Sequence, residues 1–115
     1  VGELAVAGAH AGTLLRLREV SLRALYLERD GVRIELLHYD VPGHEGDGSP
    51  RAMNRLGLTH LSLRVDDLDA ALGRLEACGG RVLRETRIEP QPGTRVAFAT
   101  DPDGTLVELL EQPGG

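Results

Sequence analysis

The polar and apolar positions change period once between Leu58 and Leu75, and that change organises the chain. Up to Val65 the period is two. Thr59, Leu61, Leu63 and Val65 fall on one face, and Leu58, His60, Ser62 and Arg64 on the other. Beyond it, Leu68, Ala71, Leu72 and Leu75 recur at helical spacing. Asp66 or Asp67 is placed to cap this helix, Asp69 lies in its electropositive first turn, and Gly79-Gly80 stops it. The pattern predicts a strand and then a helix over about residues 67–78, with His60 mid-strand on the face away from the helix.

The rest of the chain follows by the same patterning. Residues 1–6 predict a short strand, and residues 7–17, interrupted by Gly8 and Gly12, a loop with one or two helical turns. Residues 21–27 alternate as a strand, and Arg29-Asp30-Gly31 is a tight-turn signal leading into a strand over 32–39. There Val32, Ile34, Leu36 and His38 share one face and Arg33, Glu35, Leu37 and Tyr39 the other, so Glu35 is a mid-strand carboxylate. The run Pro42-Gly43-His44-Glu45-Gly46-Asp47-Gly48-Ser49-Pro50 ends any regular element and divides the chain. After the helix come a strand over 81–86, a loop over 89–93, and a strand over 95–100 with Val96 and Phe98 on one face. Asp101-Pro102-Asp103-Gly104 is a strong turn. It opens a last strand over 105–111, with Val107 and Leu109 on one face and Leu106, Glu108 and Leu110 on the other.

The expected core between helix and sheet is Leu61, Leu63, Val65, Leu68, Leu72, Leu75, Val96, Phe98, Val107 and Leu109. Arg33-Ile34-Glu35-Leu36-Leu37 parallels Leu106-Val107-Glu108-Leu109-Leu110, each following a glycine-containing turn, which suggests an internal duplication. Both glutamate-bearing strands are expected near the middle of their sheets.

Composition narrows the classes. At 115 residues, 41% hydrophobic and 27% charged, the chain suits one compact domain rather than two independent ones, and is not disordered in character. Net charge is −5 with both signs interspersed, and no basic run interleaved with aromatics suggests nucleic acid. No apolar run is long enough for a membrane span, and no secretory signal pattern opens the chain. Cys78 is the single cysteine, a usage that fits a cytoplasmic protein, and it reads as a plain thiol at a helix end. Tyr26, Tyr39 and Phe98 are the only aromatics, which counts against a pocket that grips flat ligands by stacking. The first residue is Val1 and not Met, which is compatible with processing or with a preceding segment.

Three polar residues stand in matching places: Glu35, His60 and Glu108, each mid-strand among residues of core type. Burying a carboxylate or imidazole there is costly without a partner. A divalent metal is one such partner, accepting imidazole nitrogen and carboxylate oxygen. A mid-strand Glu taken alone ordinarily points at water, and Arg33 or Arg64 could pair with these carboxylates instead. His10, His38 and His44 lack a comparable context. The repeated setting of the three is what raises them above background.

The stretch Gly57 to Asp69, with Asp101-Pro102-Asp103-Gly104-Thr105-Leu106-Val107-Glu108-Leu109, resembles the vicinal oxygen chelate superfamily, the family of glyoxalase I, methylmalonyl-CoA epimerase, extradiol dioxygenases, and fosfomycin and bleomycin resistance proteins. The likeness runs from about Leu56 to Glu111 and more weakly over residues 22–42. It implies an α+β fold of paired βαβββ modules whose curled sheets form a cleft around one metal. The division would be residues 1–42 as a partial first module, 43–55 as linker and 56–112 as the second module. In the glyoxalase-like branch each module gives two ligands, from its first and last strands. By position His60 and Glu108 match the second module's pair, and Glu35 the last-strand ligand of the first. Residues before Ser21 lack the strand-to-capped-helix pattern, so the first module is short of its opening βα unit and the fourth ligand. A preceding segment or a partner chain could supply it, or the site has lost a ligand.

The implied function is a metal-dependent enzyme of lyase or isomerase type that binds vicinal oxygens of a small-molecule substrate. Glu108 and Glu35 are the candidates to move a proton. The ion could be nickel, zinc, cobalt, manganese or iron, and a homodimer is the default assembly. The alternatives are a non-catalytic small-molecule or drug-binding protein on the same scaffold, and a ring-cleaving dioxygenase, which would have no need of Glu35.

Overall fold

The computed structural model describes residues 2–114. The fold is α+β, with one three-stranded and one four-stranded sheet. The chain divides between Gly46 and Asp47 into two compact units.

The first unit contains β1 (Gly2–Ala7), α1 (Ala9–Leu15), β2 (Ser21–Arg29) and β3 (Val32–Val41), with strand order β1-β2-β3 and both pairings antiparallel. The β2–β3 hairpin turns on Asp30 (φ 52°) and Gly31 (φ 78°), two consecutive left-handed residues that suit the twist of a two-residue hairpin loop. Its core is Ala11, Val20, Leu22 and Ala24, with Val6, Leu15, Tyr26 and Tyr39 packed around it. The expectation of β3 in mid-sheet does not hold. Among the described residues β3 is an edge strand, because no strand lies beyond it on the side away from β2.

The second unit contains β4 (His60–Val65), α2 (Leu68–Ala77), β5 (Arg81–Gln91), β6 (Thr94–Thr100) and β7 (Leu106–Glu111), in the order β4-β7-β6-β5. The first strand thus pairs with the last, in parallel, and β7 is interior. Helix α2 begins at Asp67, whose side chain accepts a hydrogen bond from the Ala70 amide at 3.0 Å. It ends at a Schellman motif: Gly79 N–H donates to Glu76 C=O (3.1 Å) and Gly80 N–H to Leu75 C=O (2.9 Å), with Gly79 at φ 95°.

Leu68, Ala71 and Leu72 of α2 pack with Val82, Ala97 and Leu109, and Val65, Leu75 and Val107 close the margin. Two parts of the expected core are corrected. The β6 residues on the helix side are Ala97 and Ala99, 1% and 0% exposed, whereas Val96 and Phe98 lie on the opposite face. Small residues let α2 approach the sheet, and the larger pair is left half-buried. Leu61 and Leu63 share the helix-side face but remain 46% and 44% exposed. Helix α2 lies over β5, β6 and β7, and β4 is the edge strand beyond them.

Strand β5 also runs further than its proline-rich sequence predicts, through Pro90 to Gln91. It is an edge strand, where a missing N–H costs little. Its ladder with β6 is irregular between Leu83 and Ile88. The Thr86 hydroxyl bridges that gap, donating to Leu83 C=O (2.6 Å) and accepting from Phe98 N–H (2.8 Å).

Candidate functional site

Strand pairing places His60, Ser62, Phe98 and Glu108 on the sheet face opposite α2. In the parallel β4–β7 register His60 stands beside Leu106 and Ser62 beside Glu108. In the antiparallel β6–β7 register Phe98 stands opposite Glu108. Glu108 is half-buried, and its Oε1 accepts a hydrogen bond from Ser62 Oγ at 2.8 Å. His60 is also half-buried. Its Nδ1 lies 2.9 Å from Thr59 Oγ1, and its ring meets Phe98 edge-on, with centroids 5.3 Å apart and planes at 70°. One imidazole and one carboxylate are therefore held on one open face by a hydroxyl each.

Thr59, Ser62 and Phe98 carried no functional reading in the sequence. Ser62 had a signal, two residues after His60 and so on the same side of the strand. Thr59 precedes the first paired residue, so strict alternation does not govern its direction, and it turns back to the His60 ring.

Glu35 belongs to the first unit. It is exposed on β3 opposite Tyr26, in the same register that sets Glu108 opposite Phe98. Its carboxylate pushes the Tyr26 phenol up, and the Arg33 guanidinium lies 5.4 Å from the Tyr26 ring centroid. Among the described residues no three His, Cys, Asp or Glu side chains gather as a metal-binding group. In donor chemistry His60 and Glu108 fit part of a divalent site, one nitrogen and one oxygen.

A depression of about 280 Å³ opens at the starts of β4 and β7, lined by Ser49, Arg51, Leu58, Thr59, Asp103, Gly104, Thr105 and Leu106. It adjoins the His60 end of the face through Thr59 and Leu106. The Arg51 guanidinium spans one wall, donating to the carbonyls of Leu56 and Leu58 at 2.7 Å each. The Asp101-to-Gly104 turn forms the other. Asp101 Oδ1 accepts from the amides of Asp103 (2.9 Å) and Thr105 (2.8 Å), and Gly104 has φ 89°. A Cβ at Gly104 would stand 1.8 Å from the Gly48 carbonyl oxygen, so both dihedral and close approach require glycine.

The surrounding charges are paired on the surface. Arg87 depresses the Asp69 carboxyl, Arg84 that of Glu76, and the Gly93 amide with Arg95 that of Glu89. Glu111 accepts from the Leu68 amide (2.7 Å) and from Arg95 (2.6 Å), which ties β7 to the first turn of α2.

A family profile described as the glyoxalase/bleomycin resistance protein/dioxygenase superfamily matches residues 10–98. The chain belongs to this superfamily. The uncharacterised protein YaeR of Escherichia coli is 40% identical over 80 residues, 69% of this chain and 57% of YaeR. A probable lactoylglutathione lyase of Vibrio parahaemolyticus is 38% identical over 52 residues, 45% of this chain and 38% of the lyase. The lactoylglutathione lyase of Neisseria meningitidis serogroup A is 36% identical over 56 residues, 49% of this chain and 41% of the lyase. The chain thus spans little more than half of YaeR's length and about two fifths of these lyases. The crystal structure of a glyoxalase family protein from Bacillus cereus superposes with a TM-score of 0.81 at 25% identity, covering 96% of this chain and 76% of that one. The superfamily likeness drawn from the His60 and Glu108 segments therefore holds. No helix among the described residues is long and apolar enough to cross a membrane.

Proposed function

We propose that this member of the glyoxalase superfamily is a metal-dependent enzyme of lyase or isomerase type acting on a small substrate with vicinal oxygens. The observation that carries the reading is the placement of His60 and Glu108 on one open face of the four-stranded sheet, opposite the helix. The matches to lactoylglutathione lyases support it. In this reading residues 1–42 and 56–112 are the two modules joined by a linker over 43–55. His60 and Glu108 hold the ion, Glu35 of this chain or of a second copy is the further ligand, and the chain acts as a homodimer. When bound, a divalent ion of the nickel, zinc, cobalt, manganese or iron group supplies Lewis acidity toward adjacent substrate oxygens. The residues do the rest. Glu108 or Glu35 takes a proton from a substrate carbon and returns it to the neighbouring one. Phe98 shields one side of the imidazole from water.

The test is ion binding followed by turnover. Calorimetry with nickel or zinc should give about one site per chain or per shared site, and the loaded protein should form lactoylglutathione, the compound in the relatives' names. Binding without turnover on that or related substrates would move the reading to another reaction of the superfamily. Failure to bind any divalent ion would leave a small-molecule binder.

A further inference from the structure

Two hydroxyl groups beside His60 and Glu108 have no part in that scheme. Thr59 Oγ1 is 2.9 Å from His60 Nδ1, and Ser62 Oγ is 2.8 Å from Glu108 Oε1. The contacts sit side by side, since His60 and Ser62 are alternate residues of β4 and Glu108 is the register partner of Ser62.

The chemistry of the two groups gives these contacts a consequence. An imidazole offers nitrogens on opposite sides of its ring, and the bond made by one decides what the other can do. With Nδ1 turned to Thr59, only Nε2 can meet a ligand. If the Thr59 oxygen accepts the proton of Nδ1–H, Nε2 keeps its lone pair. A carboxylate likewise has two oxygens, and with one lone pair of Oε1 taken by the Ser62 hydrogen, Oε2 is the less encumbered of the two for a ligand. Phe98 fixes the plane of the imidazole from a third side.

We infer that Thr59 and Ser62 are positioning residues, which aim His60 through Nε2 and Glu108 through Oε2 at a common divalent cation on the open face of β4 and β7. The inference rests on the reading of His60 and Glu108 as the functional pair. It adds which atoms do the binding and what holds them.

The experiment begins without metal. In the 15N-labelled full chain, at a pH where imidazole is neutral, long-range proton–nitrogen correlation spectra report which ring nitrogen of His60 carries the proton. The expected result is a dominant Nδ1–H form. Thr59→Val keeps the shape, removes the hydroxyl and should collapse that preference. Thr59→Ser should restore it, a rescue that packing alone does not explain. Titration with zinc or nickel alone should then show Thr59→Val and Ser62→Ala each weakening binding by about 10–100-fold, with Ser62→Thr recovering most of the loss. A wild-type His60 in the Nε2–H form, or a tautomer unchanged by Thr59→Val, overturns the inference whatever the metal does. A tautomer set by Thr59 in a chain that binds neither ion supports the orientation and overturns the metal reading instead.

Discussion

Ser62 donates its hydroxyl hydrogen to Glu108 Oε1 at 2.8 Å, across a parallel strand pair whose members are 46 residues apart in sequence. The bond joins the first strand of the unit to its last. It also makes the face next to His60 a built one, where a carboxylate has a fixed direction. Glu108 and Glu35 differ here. Glu108 lies on an interior strand with a neighbour on each side, and Glu35 on an edge strand.

His60→Ala should weaken divalent-ion binding by more than the roughly 10–100-fold expected from losing an outer-shell partner. It should leave the unfolding midpoint nearly unchanged, because His60 is outside the buried cluster. Calorimetry and thermal melts on the same preparation check both halves. A large fall in melting temperature would make His60 a structural residue.

Leu72→Ala should destabilise the protein by roughly 2–5 kcal/mol, the range for truncating a buried leucine. Leu72 is 7% exposed beneath α2. Leu63→Ala should cost well under half as much, since Leu63 is 44% exposed on the edge strand. Urea unfolding of the pair is the measurement. Equal losses would mean that α2 covers β4 as well.

Gly104→Ala should cost about 1–3 kcal/mol, the usual size of a strained backbone position. The new methyl group has a φ of 89° to accommodate and meets the Gly48 carbonyl. Relief requires residues 47–49 to move away from the turn, so backbone amide shifts should concentrate in the lining of the depression at Thr59. A neutral substitution with unchanged spectra there would refute the close approach.

Stability should be level near neutral pH and fall on acidification. Asp69, Glu76 and Glu89 have carboxyls held below their ordinary values by Arg87, Arg84, and the Gly93 amide with Arg95. A depressed folded-state value means that the unfolded chain binds more protons in the acid range. The contribution is therefore whole above the unfolded value and disappears as pH drops through the folded one. These pairs are solvent-exposed, so each effect is small and weakens with salt. Denaturation at several pH values with Arg84→Met checks the Glu76 share: the variant should be slightly less stable than the parent at pH 7 and converge with it on acidification, so its acid slope is shallower.

What the sequence determined by itself is what closes within a few residues. The Asp67 cap, the stop at Gly79-Gly80, the left-handed Asp30-Gly31 hairpin and the Asp101-to-Gly104 turn each bond to their own neighbourhood, so residue type alone announces them. The alternation that set His60 opposite Leu61, and Glu108 opposite Val107, needs only that both segments be extended. With those segments went the superfamily likeness and the α+β class.

The tertiary structure decided what depends on which strands meet. Period two names two faces of β6 but not the one that receives a helix, and Ala97 and Ala99 take it because small residues allow the closer approach. It cannot say that α2 leans over β5 to β7 and leaves Leu61 and Leu63 open. Nor can it show that Thr86 fills a gap in the β5–β6 ladder, or that the edge strand β5 runs on through Pro90 to Gln91. The Ser62–Glu108 bond is of the same kind. It exists because β4 pairs in parallel with β7, a register set by long-range packing that no local pattern carries.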